Sequence, residues 1–165
     1  MRIAIVGCGA VGSLFAAHLA TLDDEVEVWA YDVVAAHVEA INANGLRLTG
    51  RADVLAKVNA RTDAREIPPC EYGIVATKSM YTRAAIEASA HAFAGGAVAS
   101  VQNGVGNEEV IAEHVERVIR GTTFPAGHVV EPGVVQPPDW HPDPGAGTQT
   151  LAYPSAVWCG LARKP

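Results

Sequence analysis

The first twelve residues of this chain, Met1-Arg2-Ile3-Ala4-Ile5-Val6-Gly7-Cys8-Gly9-Ala10-Val11-Gly12, restrict its fold more than any other segment. A short apolar run rich in β-branched residues stops at Gly-x-Gly-x-x-Gly. The stretch after it, Ala10 to Leu22, carries Val11, Leu14, Phe15, His18 and Leu22 at three- and four-residue spacings. That pattern predicts a buried strand feeding an amphipathic helix through a glycine loop. The arrangement suits a dinucleotide. Gly7 would permit the tight turn, Gly9 would let backbone N–H groups approach a pyrophosphate, and Gly12 would let helix and strand pack closely. Cys8, Ala10 and Val11 complete the loop, and Cys8 occupies a variable slot with no redox role assigned. A glycine-rich turn without a ligand is the alternative, and the flanking strand and helix weigh against it.

Apolar runs then alternate with helical patterns. Ile3 to Val6, Val26 to Ala30, Gly73 to Ala76, Ala97 to Val101 and Val118 to Ile119 read as buried strands. A second helix is expected from about Val33 to Ala43, with Val34, Val38 and Ile41 on one face and Asn44-Gly45 as its stop. Ser79 and Asn107 look like N-caps of two further helices. Strand-helix repetition of this kind calls for a parallel sheet, so the expected fold is α/β, a Rossmann-like doubly wound sheet. Seven of the ten prolines and two of the three tryptophans fall in the last 35 residues. The chain is therefore read as a dinucleotide-binding domain over 1–136 and a Pro-rich irregular tail over 137–165, either loose or wrapped on the domain.

Composition narrows the function classes. Twelve Lys and Arg against 18 Asp and Glu give a net charge of −6, and no basic run appears, so nucleic acid and membrane surfaces are not expected partners. The three cysteines, Cys8, Cys70 and Cys159, fit neither a disulfide framework nor a zinc cage. A reducing cytoplasm is the expected compartment, and the Ile3–Val6 run is too short for a signal peptide or a membrane span. His18, His37, His91, His114, His128 and His141 show no metal-binding spacing, so no metal is expected and helix packing or exposure is their default. No serine sits in a Gly-x-Ser-x-Gly elbow, which sets acyl transfer aside.

Three polar residues stand where strands of an open α/β sheet present ligands. Asp32 lies twenty residues after Gly12, at the end of Val26-Glu27-Val28-Trp29-Ala30-Tyr31, the usual offset of the acid that binds an adenosine ribose. Aspartate is also a leading N-cap, so ribose binding and helix capping both stay open for it. No Lys or Arg occurs from Ile3 through Leu46, so nothing local would neutralise a 2′-phosphate beside Glu27 and Asp32. NAD(H) is favoured on that ground. Lys78 follows Gly73-Ile74-Val75-Ala76-Thr77, and Asn103 follows Ala97-Val98-Ala99-Ser100-Val101-Gln102. An ammonium there can hold a carboxylate, and an amide can orient a carbonyl or hydroxyl, although simple solvation is the commoner state of a lysine after a strand.

The Met1–Gly12 segment, Ala76-Thr77-Lys78-Ser79, Val101-Gln102-Asn103-Gly104-Val105-Gly106-Asn107-Glu108 and Gly121-Thr122-Thr123 together resemble, in order and spacing, the N-terminal domain of the ketopantoate reductase (2-dehydropantoate 2-reductase) family. The likeness covers roughly residues 1 to 136. It implies hydride transfer from a reduced nicotinamide to a branched 2-oxo acid, ketopantoate to pantoate, on the way to pantothenate and coenzyme A. It also implies that Lys78 and Asn103 lie in the cleft near nicotinamide and substrate, as the catalytic residues of this half. Two departures follow. The family commonly places an Arg at the end of the second strand for the NADPH 2′-phosphate, where this chain has Tyr31 and Asp32; NADP(H), usual in the family, is therefore the alternative to NAD(H). The family also continues into an all-helical domain that supplies a catalytic lysine, and residues 137–165 match none of it, Lys164 included. The expectations are thus a reductase domain incompetent alone, or a non-catalytic dinucleotide-binding module or remnant. Homodimerisation and a separate helical partner chain are the partner arrangements considered.

Overall fold

A computed structural model of the protein describes residues 1–50, 53–123 and 126–137, and the backbone of a two-residue strand at Gly160–Leu161. Along the chain run β1 (Arg2–Val6), α1 (Ala10–Ala20), β2 (Glu27–Tyr31), α2 (Ala35–Asn44), β3 (Leu46–Leu48), β4 (Val54–Ala56), β5 (Asn59–Arg61) and β6 (Tyr72–Val75). There follow α3 (Thr82–Ser89), β7 (Ala97–Ser100), α4 (Asn107–Ala112), β8 (Val118–Arg120), β9 (His128–Glu131), β10 (Val134–Gln136) and β11 (Gly160–Leu161).

Six strands form a parallel sheet in the order β8-β7-β6-β1-β2-β5, with β11 antiparallel on the β8 edge. The chain winds outward from β1 to β5 and then returns to the other side of β1 at β6. This is the doubly wound order, and its reversal between β1 and β6 opens a crevice at the strands' carboxyl ends. Alternation along β1 divides the core. Ile3 and Ile5 pack with Leu14, Val28, Val38 and Ile41, whereas Ala4 and Val6 pack with Val75, Ile86, Val98 and Ile111. Both faces are covered, which is why the parallel strands read as near-continuous apolar runs.

A second sheet, β4-β3-β10-β9, was not expected from the sequence. Its Leu46, Leu48, Ala56 and Val135 are buried in the same cluster as Leu14, Ala16 and Ala17 of α1. β10 runs parallel to β3, with Val134 opposite Arg47, so the strand pattern continues past Gly133 to Gln136. Gly160–Leu161 pair antiparallel with β8, and the rest of 138–165, where the irregular tail was expected, lies outside the described residues.

Gly45 ends α2 at φ +82°, as Asn44-Gly45 predicts. Two helices stop or start short of their predicted bounds: α1 ends at Ala20, leaving Leu22 exposed, and Val34 stands exposed ahead of α2. Ser79 and Asn107 are not N-caps. Ser79 opens a 3-10 turn (Ser79–Tyr81) that precedes α3, and Asn107 is the first residue of α4 behind Gly106. Tertiary partners take both side chains, as described below. Among the described residues no helix is long and apolar enough to cross a membrane.

Candidate functional site

The glycine loop leaves β1 at the crevice. Gly7 adopts φ +89°, a left-handed conformation that disfavours side chains, while its N–H donates to Tyr31 O at 2.8 Å. A β-carbon on Gly7 would also fall 2.8 Å from Thr77 N, because β1 and β6 end side by side. At Gly12 a β-carbon would strike the Gly7 carbonyl oxygen and crowd Ile5. Packing of the chain on itself thus explains glycine at 7 and 12. It does not explain Gly9, where an added β-carbon would meet nothing within 4 Å. Gly9 is exposed, precedes α1 as its N-cap and supplies no side-chain cap, and no acidic residue sits in the first turn. The free N–H groups and positive end of α1 therefore face an open loop mouth, which fits a pyrophosphate.

Asp32 follows β2, on the β5 side of the crevice. Its Oδ1 accepts from Val34 N–H at 2.9 Å and closes a turn just ahead of α2; the helix's N-cap position is Val34 and has no side-chain cap, so Asp32 does not cap α2. Its other oxygen, Oδ2, has no hydrogen-bond partner among the described residues. The neighbouring cation Arg61, opposite Tyr31 in register, is held by Glu66 at 3.0 Å and lies over the Trp29 ring at 5.1 Å.

Lys78 and Asn103 are both exposed, at the ends of the adjacent strands β6 and β7, and neither side chain has a partner among the described residues. The two segments are tied together: Ser79 Oγ donates to Asn103 O at 2.6 Å. Two surface depressions are formed by the described residues. One, of about 500 Å³ around Arg2, Glu71 and Arg117, is at the opposite end of the strands, and one of about 600 Å³, lined by Tyr31, Thr62, Asp63 and Glu87, lies beside the carboxyl ends of β2 and β5.

The family profile described as "Ketopantoate reductase PanE/ApbA" matches residues 3–143. The chain belongs to this family. It is 40% identical over 136 residues to a 2-dehydropantoate 2-reductase of Pyrococcus abyssi, covering 82% of this chain and 44% of that one. A second relative so named, from Halobacterium salinarum, is 32% identical over 141 residues, covering 82% and 46%. Among solved structures, a PanE/ApbA family ketopantoate reductase from Ralstonia eutropha superposes with TM-score 0.75 at 34% identity, covering 83% of this chain and 46% of that one. D-mandelate dehydrogenase with NADH and anilino(oxo)acetate gives TM-score 0.76 at 28% identity, covering 83% and 45%. The chain spans less than half the length of these relatives.

In this ketopantoate reductase family member, sequence reasoning missed the side chains that hold the loops. Gln102 is buried, and the two protons of its Nε2 are shared among three acceptors, Thr77 O and Thr77 Oγ1, each at 2.9 Å, and Thr82 Oγ1 at 2.7 Å. Thr82 Oγ1 in turn donates to Asn107 Oδ1, and Asn107 Nδ2 reaches Ser79 Oγ and Asn103 O, both at 3.2 Å. The Lys78 and Asn103 segments are thereby fixed from beneath. Behind the glycine loop, buried Ser13 bonds Cys8 O at 2.8 Å and lies 3.4 Å from His37 Nε2. His37 Nδ1 lies 3.0 Å from Gly133 N. A cue for His37 existed: it stands on the same helical face as Val38 and Ile41, all three buried.

Proposed function

We propose that the chain holds a nicotinamide dinucleotide across the carboxyl ends of β1, β2 and β6 and presents it to a 2-oxo acid, ketopantoate being the substrate the family relationship favours. The observation that carries the reading is Gly9, an exposed glycine that the chain's own packing does not require, at the mouth of α1 beside the switch point. Gly7 through Gly12, including Cys8, Ala10 and Val11, would hold the pyrophosphate through backbone N–H groups.

NADH is the favoured cofactor. Asp32 spends one oxygen on Val34 and keeps Oδ2 for a ribose hydroxyl. No Lys or Arg occurs from Ile3 to Leu46, and Arg61 is engaged by Glu66 and Trp29. The NADH-bound D-mandelate dehydrogenase among the structural neighbours supports this choice, and NADPH is the alternative. When bound, the reduced nicotinamide supplies hydride. The residues of the chain do the rest: the Lys78 ammonium attracts the substrate carboxylate or the oxygen on which negative charge develops, and the Asn103 amide orients the carbonyl.

Calorimetric titration with NADH and NADPH tests the reading. Measurable binding, tighter for NADH, is expected; binding of neither would overturn it. A second reading, a dinucleotide-binding module without turnover, draws on the solvent exposure of Lys78 and Asn103. Consumption of NADH with ketopantoate present separates the two.

A further inference from the structure

We infer that His37 and Ser13 are positioning residues that lock the Cys8–Gly9 peptide with the Gly9 N–H turned outward, toward the site of the anion. The inference rests on the dinucleotide reading above for its consequence, and on the geometry behind the loop for its substance.

The hydrogen-bond chain has one polarity. Gly133 N–H can only donate, so His37 Nδ1, 3.0 Å away and buried with it, is the acceptor. A neutral imidazole then carries its proton on Nε2, which donates to Ser13 Oγ at 3.4 Å. Cys8 O can only accept, so the Ser13 hydroxyl spends its proton there, at 2.8 Å. Burial pulls His37 below the usual imidazole range, in the direction this polarity requires, with the Asp32 carboxylate and the Cys8 backbone carbonyl pulling the other way.

The consequence lies one bond further on. Across a trans peptide the carbonyl and the following N–H point in opposite directions. With Cys8 O drawn inward to Ser13, the Gly9 N–H is directed away from the interior, and it has no backbone partner among the described residues. Glycine lets this peptide turn over at little steric cost, so the loop alone does not fix which end faces out. The flipped form would offer a carbonyl oxygen to a phosphate. The lock runs from α2 and the β9–β10 turn, neither of which forms part of the glycine loop.

Three variants test this. His37→Gln places an amide near the Nε2 position and keeps the donation to Ser13, whereas His37→Asn reaches only the Nδ1 position and keeps the acceptor for Gly133. Ser13→Ala removes the donor to Cys8. Ser13→Ala and His37→Asn are expected to weaken NADH binding by about tenfold, the worth of one hydrogen bond, and His37→Gln to hold it near wild type. The ¹⁵N–¹H resonance of Gly9, read without cofactor, should move in Ser13→Ala and His37→Asn and stay in His37→Gln. Equal NADH affinity in Ser13→Ala and wild type, or losses in both His37 variants that merely follow their melting temperatures, would overturn the inference. Should Ser13→Ala not fold, the comparison of the two His37 variants carries the test. Wild type binding neither NADH nor NADPH would sink the dinucleotide reading instead, leaving the Gly9 resonance to decide the lock.

Discussion

Gln102 Nε2 lies 2.7 Å from Thr82 Oγ1, and through this contact the end of β7 is fastened to the first turn of α3. Both residues are buried, so a lost partner is not replaced by bulk water. Gln102→Leu removes the donor to buried Thr82 Oγ1 and the acceptor of buried Ser100 Oγ, along with the bonds to half-buried Thr77, and is expected to cost about 2 kcal/mol, within the 1–3 kcal/mol range for an unsatisfied buried group. Urea denaturation measures it. A loss below about 0.5 kcal/mol, the size of an ordinary surface change, would mean that the network does not hold the Lys78 and Asn103 segments together.

Two glycines of one motif should respond oppositely to the same substitution. Gly12→Ala drives a methyl into the Gly7 carbonyl and should lower stability and cofactor binding together. Gly9 has φ −69°, open to any L residue, and free space around it. Gly9→Ala should therefore melt at or slightly above the wild-type temperature, since removing a flexible glycine favours folding by about 0.4–1 kcal/mol where strain is absent. NADH binding should nonetheless fall. Unchanged affinity in Gly9→Ala would remove the pyrophosphate from this loop.

Much of this architecture is legible in the sequence, for a physical reason. Ile3 to Val6, buried on both faces, must be apolar throughout, and the glycine loop announces the strand-helix turn. β5 is not legible, because Asn59 and Arg61 flank a single buried residue, Ala60, at the sheet's edge. The second sheet hides for a different reason. Its strands run three or four residues, β9 is wholly exposed, and its central pairing joins Arg47 to Val134 across a long loop of chain. Ser79 and Asn107 have the residue types of caps, yet each spends its side chain on a partner distant in sequence. The bond between His37 and Gly133, 96 residues apart, leaves no local signature at all.

Any cofactor role of Asp32 separates from its turn-closing bond to Val34 in Asp32→Asn. The amide keeps an Oδ1 for Val34 N–H, so the melting temperature should stay close to wild type. The negative charge is lost, and with it the repulsion of a 2′-phosphate. Two unit charges about 4 Å apart in water interact by about 1 kcal/mol, so NADPH binding should improve by roughly fivefold while NADH binding weakens. Paired titrations of variant and wild type measure both. If the preference between the cofactors does not move, Asp32 only closes the turn ahead of α2.

Burial pushes the Cys8 thiol up to about 12 and the Cys70 thiol up to about 11, from an ordinary value of 9.0. Neither should be modified by iodoacetamide at pH 8 in the folded protein, as peptide mapping can read. The linkage has a definite sign: above about pH 9 the unfolded chain releases protons that the folded chain retains. Stability contributed by the buried thiols is full below that pH and declines as pH rises toward 12. Cys8→Ala should flatten the alkaline limb of the stability curve; an unchanged limb would show Cys8 to be far less buried than the structure has it.

Ketone reduction sets the last expectation. Hydride arriving at the carbonyl carbon leaves charge on oxygen, and a positioned proton donor lowers that barrier by about 100- to 10,000-fold. Lys78 is the cation at the carboxyl end of β6, but its side chain is exposed and has no partner among the described residues. An ammonium in open water is screened and loosely placed, so it can attract a carboxylate without holding the carbonyl at a fixed distance. The 165-residue chain is therefore expected to bind NADH yet to reduce ketopantoate only slowly, followed as loss of NADH absorbance. Lys78→Ala should weaken what ketopantoate binding there is while leaving NADH affinity near wild type. Turnover at the median enzyme rate of about 10 s⁻¹, abolished by Lys78→Ala, would show instead that an exposed lysine at this strand end suffices as the donor.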